Sequence, residues 1–204
     1  YKEKSNSEYK ARVSLLLNLI EHSNKRLKMK YPNHNRDLIK IVHRPQAGHY
    51  ICLNLDAFRG YMTPEGKCLN DSKDLSRYLY QHTHKKENGR TIYHGLRVSA
   101  GHSKGHDTMI IYIAFAQAGY ETALQIMEPY HNAEIAKHTL RQVAQKSGSK
   151  EQLSDEVLNQ TLETLGIKCP SEPDLTPALQ AGRNELIDAF DRIVCALGKL
   201  KPAV

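Results

Sequence analysis

The chain has 204 residues, 40% of them hydrophobic and 25% charged, and 29 Lys and Arg against 22 Asp and Glu give it a net charge of +7. This is an ordinary globular composition. With a mean hydropathy of -0.59 and a longest apolar run at residues 109–115, it leaves no room for the roughly 20 apolar residues of a membrane-spanning helix, so a soluble single domain, 1–204, is expected.

From Ser7 onward, Val13, Leu16, Leu17, Ile20 and Leu27 recur at helical spacing and predict an amphipathic helix that stops before Pro32. Residues 37–43 (DLIKIVH) and 49–55 (HYICLNL) alternate as strands do, and Arg44-Pro45-Gln46-Ala47-Gly48 between them makes a hairpin. Residues 60–70 (GYMTPEGKCLN) have turn chemistry. Asp71 or Ser72 then caps a short helix carrying Leu75, Tyr78 and Leu79 and ending near His82. Glu87-Asn88-Gly89 marks a tight turn, after which residues 90–99 (RTIYHGLRVS) read as a third strand interrupted at Gly95.

A Gly- and His-rich loop follows, with Asp107 as N-cap of the apolar segment 108–127. That segment reads as a buried helix, too long for one strand and too apolar all round for a surface helix, with Gly119 as a candidate break. Three amphipathic helices complete the chain. One surrounds Ile135, Leu140 and Val143; one carries Leu153, Val157, Leu158, Leu162 and Leu165 and ends at Gly166; the last opens at Thr176-Pro177 and closes at Gly198. The expected fold class is α+β: a small mixed or antiparallel sheet from a basic part, 1–107, packed against a largely helical part, 108–204, with no internal repeat.

Charge is divided unevenly. Through Thr108 there are 20 Lys and Arg against 10 Asp and Glu, and from Met109 onward 9 against 12. Nine of the 11 histidines also lie in the first half, which would present a positive field to an anionic ligand, a phosphate or an acidic protein surface. The bland alternative is solvated Lys and Arg spread over the surface. Cys52, Cys68, Cys169 and Cys195 form no CxxC pair, which points away from disulfides and towards a reducing intracellular compartment. Nothing at the N-terminus has a signal-peptide pattern, and a start at Tyr1 is what a chain trimmed from a longer one would show.

The densest reactive set is His94, His102, Ser103, His106, Asp107 and Thr108. A loop running into a buried helix would gather amide groups at one point, so Ser103 and Thr108 are hydroxyl candidates for a nucleophile, with a histidine needed from elsewhere. Asp107 and Thr108 are equally the residues expected at any helix start. His82 with His84, or His102 with His106, could approach one metal ion, but HExxH and CxxC are absent and no metal site is expected. Arg77-Tyr78-Leu79-Tyr80 followed by residues 82–86 interleaves bases with aromatics as nucleic-acid sites do, though Tyr78 and Leu79 also fit a core.

Several of these residues resemble the YopJ-type effector acetyltransferases, whose fold is like that of clan-CE cysteine proteases. Lys30-Tyr31-Pro32 looks like the end of the family's helix, and residues 38–55 resemble the strand pair carrying its catalytic histidine, which would be His49. The strand at 91–99, the polar loop and residues 107–116 resemble the family's strand, loop and cysteine-headed helix, with Thr108 where the family has its nucleophilic cysteine. Glu65 is nearest in spacing to the family's acid, and Asp56 is the second choice. The resemblance implies His49 as base, Glu65 as orienting acid, acetyl-coenzyme A as donor, an inositol phosphate as activator and delivery into a host cytosol. A threonine at the cysteine position implies either a degenerate relative kept for binding a host or partner protein or an enzyme using another residue. Gly95-Leu96-Arg97-Val98 and residues 111–116 also resemble the GLR and IYFA segments of ADP-ribosyltransferases, and a basic nucleic-acid-binding domain is the rival reading from charge alone.

Overall fold

The computed structural model describes residues 2–43, 50–83, 85–87, 90–92, 98–101, 108–115, 118–148, 153–167 and 173–202. The first helix, α1 (Lys2–Lys30), carries the predicted periodicity, and Leu16, Ile20 and Leu27 are buried along it. β1 (Lys40–His43) and β2 (Tyr50–Asn54) pair antiparallel as the expected hairpin. A single 3₁₀ turn (Asp56–Phe58) leads away from β2. α2 (Ser72–Thr83) begins where Asp71 accepts the amides of Lys73 and Asp74, both at 2.8 Å, so the predicted cap forms.

Two expectations fail. The apolar segment 108–127 is not one helix: it holds a strand, β6 (Ile110–Ala114), and then the start of α3 (Tyr120–Lys146). The β-branched run Ile110, Ile111 and Ile113 has no helical periodicity to lose, because a strand buried on both faces is apolar at every position. Gly119, with φ +78°, sits in the conformation that lets the chain leave the strand and start the helix. The third predicted strand, 90–99, also divides. β4 (Arg90–Ile92) pairs with β3 (Lys85–Glu87) in a two-stranded ribbon, while β5 (Val98–Ala100) joins the main sheet.

The main sheet runs β1-β2-β6-β5, antiparallel throughout. Its inner face presents Ile51 and Leu53 beside Ile111 and Ile113, all essentially excluded from water. They share one core with Phe58, with Leu75, Tyr78 and Leu79 of α2, and with Leu186, Phe190 and Leu197 of α5 (Thr176–Leu197). α4 (Asp155–Thr164) is capped by Ser154 and packs on α3. The fold class is therefore α+β, a small antiparallel sheet followed by a mainly helical second half. The chain divides into two compact units, Tyr1–Gly119 with Ala181–Val204, and Tyr120–Gln180. No helix among the described residues is long and apolar enough to cross a membrane.

Buried polar groups set the detail of the first unit. Asn24 is buried on α1; its Oδ1 accepts the amides of Leu38 and Ile39 at 3.0 and 2.8 Å, and its Nδ2 donates to the Ile39 carbonyl at 2.8 Å. One side chain thus satisfies three backbone groups that have no helical or strand partner. At the other pole, Tyr31 donates to the carbonyls of Leu197 and Leu200 at 2.6 and 2.8 Å, and Tyr78 to that of Ala196 at 2.7 Å. Tyrosine hydroxyls thus add a second hydrogen bond to the Ala196 and Leu197 carbonyls, which also accept the amides of Lys199 and Leu200 at 3.1 and 3.2 Å.

Asn24→Ala would strand two amides and a carbonyl in the core, and a loss of about 2–4 kcal/mol is expected from urea-denaturation midpoints. Burial pushes both Tyr31 and Tyr78 up from 10.0 to about 12. Their folded pKa is raised, so the stability they carry is intact below pH 10 and lost as pH climbs towards 12. Alkaline difference absorbance should show late-ionising tyrosines, and Tyr31→Phe should remove one of them.

Candidate functional site

Of the residues nominated from sequence, His49 lies outside the described residues, as do His84, His94, His102, Ser103, His106 and Asp107. Thr108 is described, and it leads into a strand rather than capping a helix. Its carbonyl accepts the Ser72 hydroxyl at 3.3 Å, and the next two residues are pinned as well. The Met109 amide donates to Asp56 Oδ1 at 3.3 Å, and the Ile110 amide donates to Ser72 Oγ at 2.9 Å. Asp56, the second acid candidate, therefore serves here as a splint for backbone, and also pairs with Arg59 at 2.9 Å. Tyr50, the residue after His49, pairs with Ala114, whereas Asn54 pairs with Ile110. Tyr50 and Thr108 consequently stand at opposite ends of the β2/β6 ladder, roughly 20 Å apart at a strand rise of about 3.3 Å per residue.

Glu65 has different company. It occupies the third position of the turn Thr63-Pro64-Glu65-Gly66, whose proline and glycine suit the second and fourth places. The Gly66 amide donates to the Thr63 carbonyl at 2.9 Å with Gly66 at φ +81°, and the Lys67 amide donates to the Thr63 hydroxyl at 3.2 Å. The hairpin arms continue with Met62 bridged to both Cys68 and Lys201. This turn carries the Glu65 carboxylate to α2, where its Oε1 lies 3.4 Å from His82 Nε2. The His82 ring is held against Tyr78, with centroids 4.4 Å apart. Nε2 is buried and has no hydrogen-bond partner among the described residues, so the carboxylate is close without being aligned for a hydrogen bond.

The Glu65 carboxyl is held below the ordinary glutamate value, first by its own backbone amide, then by the Thr63 hydroxyl, with the charges of His82 and Lys67 adding to the effect. Beside it opens a cavity of about 50 Å³, lined by Glu65, Lys67, Cys68, Asp74, Arg77 and Tyr78 among others. Asp74 is already used, accepting the Asn70 amide at 3.1 Å. Lys67 and Arg77 are exposed and enter no ion pair among the described residues. The lining of the cavity sets two cations, Lys67 and Arg77, beside two carboxylates, Glu65 and Asp74.

A second polar row crosses the sheet, where register aligns His43, Cys52, Tyr112 and Ser99. Burial pushes the Cys52 thiol up, away from thiolate, which removes the nucleophile such a row would need. Among the described residues no group of three His, Cys, Asp or Glu could hold a metal ion. Tyr78 and Leu79 are buried, so the basic-aromatic stretch at 77–80 turns its first aromatic inward, where no base could stack on it. Comparison with known proteins returns no family model, no curated protein and no solved structure that matches the chain.

Sequence reading nominated Glu65 but not its surroundings. From sequence His82 stands as a candidate metal ligand and as part of the basic stretch 82–86, with nothing to pair it with Glu65. The Thr-Pro-Glu-Gly turn was the available signal. Carboxyl NMR should give Glu65 a midpoint below the ordinary 4.5. Because the folded value is depressed, its stabilising effect is present above pH 4.5 and fades as pH falls through the lower midpoint. Thr63→Ala should move the midpoint back up; an unmoved midpoint would remove the hydroxyl from the account.

Proposed function

We propose that the chain is a binding domain that captures an acidic segment of a partner protein through its basic unit, as a degenerate relative of the effector acyltransferases would. The observation that carries this reading is that charge divides where the fold divides. The unit of Tyr1–Gly119 with Ala181–Val204 holds 24 Lys and Arg against 13 Asp and Glu, whereas Tyr120–Gln180 holds 5 against 9. Such a field draws an anionic partner in and speeds its arrival. The cavity beside Lys67 and Arg77 then gives one carboxylate a seat.

Acyl transfer from His49 and Thr108 is the less supported form of the resemblance. It needs a base beside a nucleophile, and β6 begins at the far end of the ladder from Tyr50. Cys52, Cys68 and Cys195 are free thiols, which suits work in a reducing cytosol.

A Glu-rich peptide should bind the full chain and weaken steeply with added salt. Lys67→Glu with Arg77→Glu should cut that affinity by about tenfold, near 1.4 kcal/mol. Transfer of label from acetyl-coenzyme A that vanishes in His49→Ala would overturn the reading in favour of the enzyme. Tight oligonucleotide binding with no measurable affinity for the peptide would overturn it in favour of nucleic acid.

A further inference from the structure

The unit Tyr120–Gln180 leaves more large apolar side chains in water than it buries. Among its described residues the buried apolar ones are Ala133, Leu158, Leu162 and Ala178, only two of them large. On α3 alone, Tyr120 is 60% exposed, Leu124 50%, Met127 38% and Ile135 52%. These positions are spaced by four, three and eight residues. At about 100° per residue they fall, with exposed His131, inside one sector of about 80°. Such a stripe is the seam one helix offers another. Contiguous exposed apolar surface of this kind marks a docking site.

The edges of the stripe specify what docks. Glu121 and Glu128, both exposed, follow one edge, and Glu134 stands on the other, 3.0 Å from Lys137. The unit as a whole is acidic, with 9 Asp and Glu against 5 Lys and Arg. An antiparallel second copy that matched stripe to stripe would bring the same edges together and set Glu128 near Glu128 of its mate, like charge against like. A basic helix avoids that cost and gains from the rim. We infer that the exposed stripe of α3 is a docking face for a basic amphipathic helix of a partner protein, its apolar side laid on Tyr120, Leu124, Met127 and Ile135 and its cations against Glu121 and Glu128. This face stands independently of the anion-binding cavity, on a different unit and with the opposite charge preference.

The test uses the full chain and a labelled peptide of about 18 residues, built from Leu and Lys with leucines at helical spacing, beside a Leu and Glu counterpart. Fluorescence anisotropy should show saturable binding of the Lys peptide that depends on the α3 stripe, whereas any binding of the Glu peptide belongs to the basic unit and should not respond to changes on α3. Leu124→Asp should weaken binding by about tenfold, whereas Val143→Asp, on another side of α3, should leave it within about twofold. Glu121→Lys with Glu128→Lys should weaken it similarly, and these exposed changes keep the test valid if the Asp variant loses helix by circular dichroism. Equal binding of the Lys peptide by all variants would overturn the inference. So would a concentration-dependent dimer abolished by Leu124→Asp, which would give the face to a second copy.

Discussion

The first unit depends on keeping one strand dry. β6 is central and nearly all buried, so every amide and carbonyl along it must find a partner inside the protein. β2 and β5 supply them along its length. Its two ends are held by side chains from four other elements, three helices and the 3₁₀ turn. Ser72 and the Asp56 turn fix the start, while past the end Arg12 Nη1 donates to the Ala118 carbonyl at 3.0 Å and the Gly119 amide donates to Glu185 at 2.8 Å. α1, α2 and α5 are thereby tied to the flanks of one strand. Hydrophobic burial supplies the driving force, and these polar ties select the register.

That constraint also decides where chemistry has room. Thr108 stands at the tied start of the strand, where Ser72 and Asp56 hold the backbone it belongs to. The turn at Thr63–Gly66 is free of such duty, and it is there that a carboxylate, a buried imidazole nitrogen and two cations come together. This unit is basic and Tyr120–Gln180 is acidic.

Helices with one apolar side were legible, because Leu16, Ile20 and Leu27, or Leu158 and Leu162, must recur at the period of the helix that buries them. The first hairpin was legible from alternation and its Pro-Gly turn. The segment 108–127 was not, since a run apolar at every position carries no period and fits a buried strand or a buried helix equally. Glu65 was nominated through spacing in a family resemblance, and its neighbour His82, 17 positions along the chain, came into view only with the packing of the hairpin on α2.

Local rules therefore settled much by themselves: the fold class, the amphipathic helices, the cap at Asp71, the Thr-Pro-Glu-Gly turn and the unequal division of charge. Each depends on residues within a turn or two of one another, where sterics and periodicity act without help. The tertiary structure alone decided that the apolar run is the central strand, that Asp56 and Ser72 serve backbone, and that Glu65 meets His82. Those outcomes turn on which distant surfaces exclude water together, and the free energy of that exclusion belongs to pairs of segments that no single stretch of sequence contains.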